Sequence, residues 1–199
     1  MPSNGDRSNA AKWGAFGMLS GAVAWALIVL VSLINPSFES PRWNGIIFNQ
    51  VSLLPGLVFG SFIGLLLNRG SGLEWRRHLG YVLAAGLAYF CAFHIAYHLF
   101  EDLNNELSSV GASLIIAGIS AGLIGSVLLG VMTMCLLRAP RRLVLRLSVL
   151  AGGAAGVLLW LAQFEQPPWA WGYLLLFALW QGAYAASLAP LLRPGPDTA

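Results

Sequence analysis

The chain has 199 residues, of which 57% are hydrophobic and only 10% charged, with a formal net charge of +3. A water-soluble domain carries about 25% charged residues to solvate its surface, so this composition excludes a soluble globule and predicts an integral membrane protein. The basic excess lies in short segments beside apolar runs, not in a stripe on a soluble face, which excludes nucleic acid as the partner.

In chain order, the apolar runs predict an all-α, polytopic transmembrane bundle forming one domain. A spanning helix needs about 20 apolar residues. Uncharged stretches place six spans at about 12–34, 44–67, 79–100, 108–137, 142–163 and 169–192, with 1–10 and 193–199 as flexible tails. The first run exceeds the roughly 7–15 apolar residues of a secretory signal, so it is read as retained. The second carries Asn49 near its outer end and Pro55, which predicts a kink whose freed carbonyl is met by a neighbouring helix. It also carries Gly56, Gly60 and Gly64. The third holds a histidine-rich cluster, treated below. The fourth is longer than a straight span requires, so it must tilt or kink; it carries Gly118, Gly122 and Gly125. The fifth carries Gly152, Gly153 and Gly156 and closes at Gln163 and Glu165. Arg141, Arg142 and Arg146 crowd its start, and five spans is the fallback count. The sixth holds Gln181 near its centre, where a buried amide needs a partner.

Small residues at this spacing let helix backbones approach where lipid supplies no hydrophobic drive between them. The first expectation is packing within one bundle; a homodimer through one stripe is the alternative. Orientation follows from the basic residues. With the N-terminus inside, every Lys and Arg except Arg42 falls on the inner side, so both termini are predicted to be cytoplasmic. Trp13 and Trp75 are read as markers of the inner interface, and Trp43, Trp169 and Trp171 of the outer one. The predicted location is a cell membrane, the inner membrane of a bacterium. Cys91 and Cys135 sit near opposite ends of their spans, so no disulfide is expected.

No span contains Asp, Glu, Lys or Arg at mid-depth, which counts against an ion-coupled carrier. Phosphate-cradling GxxxxGK[ST] and GxGxxG loops are missing, as is HExxH. Chemistry concentrates on the outer half of the third span. There Cys91, His94, His98, Glu101 and Asp102 fall within about 100° of arc on a helical projection. Tyr89, Phe93 and Phe100 fall opposite. The polar stripe is therefore expected to face the bundle and line a funnel open to the outer side, with the aromatic stripe in lipid. Histidines at i and i+4 with a carboxylate one turn on can ligate a metal, and imidazole with carboxylate suits Zn, Cu or Ni. Haem would need a further ligand from another helix. The plainer expectation is structural hydrogen bonding near a helix end. Asn49, Gln163, Glu165 and Gln181 are candidate supporting residues.

The leading functional expectation is a small transport or binding protein, or a subunit of a membrane complex, with a polar pocket open to the outer face and the bilayer as its partner. Alternatives are a membrane-embedded metal or haem enzyme using His94 and His98, and an assembly partner with no small-molecule site.

Overall fold

The computed structural model describes residues 4–34, 42–43, 46–47, 50–71, 74–107, 109–137, 152, 158 and 171–189. Among these, five long helices carry the fold: α1 (Asn4–Ile34), α2 (Gln50–Ser71), α3 (Trp75–Leu107), α4 (Val110–Leu137) and α5 (Trp171–Leu188). Two two-residue strands, β1 (Arg42–Trp43) and β2 (Ile46–Ile47), precede α2 and pair antiparallel. Three segments, Asn9–Ile34, Trp75–Leu107 and Val110–Cys135, are long and apolar enough to cross a membrane, which makes this a membrane protein built on helices.

Several boundaries differ from expectation, each for a local reason. The second helix begins at Gln50 rather than near 44, because the strand pair occupies the preceding residues. Its register sets Arg42 opposite Ile47 and Trp43 opposite Ile46. α1 begins at Asn4, inside the segment read as a tail, and α3 continues to Leu107, so Glu101 and Asp102 belong to the helix rather than opening a loop. Of the fifth expected span only Gly152 and Leu158 lie among the described residues; Gln163, Glu165, Gly153 and Gly156 lie outside them, as does Asn49.

The helices neighbour one another in the order α5, α1, α2, α3, α4. Glycines make the close approaches. On α2, a Cβ at Gly56 would lie 2.6 Å from the Tyr89 Cβ, one at Gly60 2.7 Å from the Val82 Cα, and one at Gly64 2.7 Å from the His78 Nδ1. The α2 stripe is thus filled by α3 of the same chain. Rising residue numbers on α2 meet falling numbers on α3, so the two run antiparallel. Gly152 packs on Gly122 and Ser126 of α4.

A further stripe escaped the sequence reading. Gly14, Gly17 and Gly21 of α1 lie against Gly182, Gln181, Ala185, Phe177 and Ala178 of α5, again with opposed numbering. α1 and α5 are therefore antiparallel, and the start of α1 and the end of α5 share one end of the bundle. α2 and α5 run in parallel: Pro55 meets Gln181 and Phe59 meets Tyr184. α4 is antiparallel to α3, since Gly125 faces Ala92 and Thr133 reaches Tyr81. It follows that α4 and α5 point the same way. α4 ends at the opposite end of the bundle from where α5 begins.

The core is aromatic as much as aliphatic. Phe59, Tyr81, Phe177 and Tyr184 are almost fully buried. Phe59 meets Tyr184 edge-on with ring centroids 5.7 Å apart, and Tyr89 meets Trp180 edge-on at 5.6 Å. Edge-to-face pairs add to the area they bury because the positive ring edge meets a negative face. Trp13, expected at the interface, is 9% exposed and belongs to this core. The early start of α1 places it several turns into the helix. Trp75 and Trp171 remain 69% and 66% exposed.

Candidate functional site

Pro55 sits inside α2, and Gln181, fully buried on α5, lies at the same level. Gln181 Nε2 donates to the carbonyl of Pro55 at 3.1 Å, and Gln181 Oε1 accepts from the Ser20 hydroxyl at 2.5 Å. The same hydroxyl lies 2.7 Å from the carbonyl of Gly17. One amide thereby ties α1, α2 and α5 together, and both polar ends of it are satisfied. The expectation for Pro55 concerned a different atom. Proline supplies no N–H to the carbonyl four residues earlier, that of Val51. Gln181 reaches the carbonyl of Pro55 itself instead.

One turn beyond this polar knot, the ends of α2 and α5 join α3 and α4 around a partly open cavity of about 150 Å³. Its α3 wall is built from residues 89, 92, 93, 96, 97 and 100. That spacing is i, i+3, i+4, i+7, i+8, i+11, a single helical face. Tyr89, Phe93, Tyr97 and Phe100 supply bulk there, and Ala92 and Ala96 supply space. From α4 come Leu114, Gly118, Ala121 and Gly122; α5 adds Tyr173, Phe177 and Trp180. Val51 closes the α2 side. No charged side chain lines the cavity among the described residues. Its chemistry is that of an apolar, aromatic-walled ligand site.

This reverses the expected orientation of α3. Tyr89, Phe93 and Phe100, assigned to lipid, line the interior cavity. The polar stripe assigned to the interior points away from it: the His98 and Glu101 side chains are 51% and 49% exposed, and Asp102 is exposed. The cavity between α3, α4 and α5 is apolar. Both outcomes have one cause. Near a helix end, charged groups gain more from headgroups and water than from a bundle interior, while large rings gain dispersion contacts by packing on other helices.

The candidate ligands themselves are placed as follows. His94 Nδ1 donates to the carbonyl of Phe90, one turn back, at 3.0 Å. Its ring packs on Phe90, with centroids 4.1 Å apart. The His94 and His98 rings lie 6.3 Å apart, and His98 Nδ1 is 3.8 Å from a Glu101 oxygen. Cys91 is half-buried and, like Cys135, unpaired in any disulfide. Among the described residues, no three His, Cys, Asp or Glu side chains gather in a way that could hold a metal ion.

Two features are legible in the sequence itself. The aromatic and alanine spacing from Tyr89 to Phe100 already marks one continuous face. The run Gly118-Ile119-Ser120-Ala121-Gly122 has the G-x-S-x-G spacing of a hydrolase nucleophile elbow. That motif acts through a strand-to-helix turn, whereas here it lies within uninterrupted α4, where its glycines form cavity wall. No protein-family profile matches the chain, and neither curated proteins nor solved structures show a match to it.

Proposed function

We propose that this protein is a multi-pass membrane protein that binds an apolar ligand, a ring or a short stretch of lipid chain, in the cavity between α3, α4 and α5. The observation that carries the reading is the cavity itself: aromatic walls, a floor of Ala and Gly, and no charged lining. An apolar void of about 150 Å³ stays dry and takes a benzene-sized molecule in a soluble protein. A longer chain would leave through the open side into the bilayer.

The test uses brominated hydrocarbon as ligand. 1-Bromooctane added to the purified protein in detergent should quench a saturable part of the tryptophan fluorescence, since Trp180 forms one wall. Trp180→Phe should remove that part, and Ala96→Phe, which places a ring in the void, should abolish saturation. Quenching that rises linearly and equally in all three proteins would sink the proposal.

The membrane arrangement we propose is six spans with both termini cytoplasmic. The parallel course of α4 and α5 supports it, because residues 138–170 must return from one end of the bundle to the other. The antiparallel pairing of α1 and α5 supports termini on one side. The basic residues, all but Arg42, choose the cytoplasmic side. A reporter active only outside the cytoplasm, fused after Arg193, should be silent; strong activity would refute this topology.

A further inference from the structure

Charge divides between the two ends of the bundle. α1 opposes α5, α5 parallels α2 and α2 opposes α3, so α1 and α3 begin at the same end. Lys12, Arg76 and Arg77 are exposed towards that end, whereas Glu101, Asp102 and Glu106 are exposed at the far end of α3. Among the described residues neither Arg76 nor Arg77 has an ion-pair partner, and Glu74 beside them pairs with neither. Trp75, also exposed, stands at the level of the guanidiniums, and indoles favour the headgroup layer. From Arg76, residues 80, 83 and 87 follow at i+4, i+7 and i+11, one helical face. A Cβ at Gly80 would meet nothing within 4 Å, so the face has a notch there, and Leu83 and Leu87 beyond it are exposed. From Arg76 to Leu87 the helix rises about 17 Å, close to the roughly 15 Å of hydrocarbon in one leaflet. The cavity wall from Tyr89 to Phe100 lies on the other side of α3.

We infer that this face of α3 seats an anionic phospholipid, its phosphate on Arg76 and Arg77 and one acyl chain along Leu83 and Leu87 over the notch at Gly80. A guanidinium holds a phosphate through paired N–H donors, and its apolar stem can lie along the helix while its head reaches the headgroups. Two guanidiniums against the one carboxylate of Glu74 leave the patch positive. A headgroup of net negative charge therefore gains more there than a zwitterionic one. The carboxylates at the far end of α3 disfavour the same lipid in the opposite leaflet.

The test is native mass spectrometry of the detergent-purified protein with phosphatidylglycerol or phosphatidylcholine of equal chain length. Wild type should retain phosphatidylglycerol about fivefold to tenfold better. Arg76→Gln and Arg77→Gln should each cut that preference to below about twofold. Both side chains are exposed and unpaired, so neither change disturbs the fold. Lys12→Gln removes the same charge from the same end without touching the seat, and should leave the preference unchanged. Inorganic phosphate at the concentration of the lipid should not displace it. Equal retention of the two lipids by wild type overturns the inference. Equal losses from Arg76→Gln and Lys12→Gln overturn it too, because the attraction would then belong to that end as a whole. Displacement by inorganic phosphate as effective as by phosphatidylglycerol overturns it as well, since it would reveal a bare anion site. None of these outcomes bears on the apolar cavity, which is tested separately.

Discussion

Gly21→Leu will separate α1 from α5 and cost the folded state about 3 kcal/mol or more. A mere Cβ at Gly21 would lie 2.5 Å from the Ala178 nitrogen and from the Phe177 carbonyl carbon and oxygen. Those are backbone atoms of a helix and cannot rotate aside. Only a shift of the whole helix relieves them, and overpacking of a well-fitted contact costs about 1–3 kcal/mol even where side chains can yield. The stripe should respond in a graded way. A Cβ at Gly14 would sit 3.4 Å from the Ala186 Cβ, an ordinary contact, so Gly14→Ala should be nearly neutral. Gly80 has nothing within 4 Å; Gly80→Ala should be neutral or stabilise by up to about 1 kcal/mol through helix propensity. Unfolding of the detergent-solubilised protein by SDS titration would measure the series. Equal effects at Gly14 and Gly21 would show that close backbone approach is not what the stripe provides.

The second large effect is at Gln181. Gln181→Ala removes two interhelical hydrogen bonds and opens a void at the meeting of three helices, for about 2–4 kcal/mol. Gln181→Leu refills the volume and should cost less, about 1 kcal/mol, the scale of hydrogen bonds between membrane helices. The reason lies with the partners. The Ser20 hydroxyl keeps the Gly17 carbonyl at 2.7 Å, and the Pro55 carbonyl still points along its own helix, so neither is orphaned. Ser20→Ala is the opposite case: it strands Gln181 Oε1 in a fully buried position, and should exceed Gln181→Leu. The same titration orders the three variants. If leucine proves worse than alanine at 181, the account of the knot is wrong.

How much of this was readable from residues alone depends on what reports the environment. Helix character and membrane class were plain, because length and apolarity are properties of a segment by itself. The α2 glycines meet α3, a partner that the sequence did not predict. Facing direction was not readable by the rule applied to α3. In water a polar stripe turns outward and an apolar one inward; in a bilayer both surroundings of a helix are apolar, so amphipathicity loses its sign. His98, Glu101 and Asp102 follow the headgroups, and Tyr89, Phe93 and Phe100 follow dispersion. A better guide was present in the alternation of rings with Ala92 and Ala96, since small residues matter only where another helix or a ligand comes close. Gln181 was recognisable as a buried amide in need of partners. That they would be Ser20 and Pro55 depends on tertiary contacts that no local pattern encodes.

The pairing of α1 with α5 has a consequence for biogenesis. Ser20 and Gln181 lie 161 positions apart, so α1 leaves the ribosome well before α5 and waits for it. At roughly 5–20 residues per second that delay is on the order of ten seconds. Throughout it, the face bearing Gly14, Gly17 and Gly21 has no mate of its own chain. An early-inserted helix with an open glycine face is a target for any other small-faced helix in the membrane, and for the quality-control proteases that recognise unpaired spans. A chain interrupted before Trp171 would keep that face open indefinitely. Completion of α5 is therefore the step that closes this face.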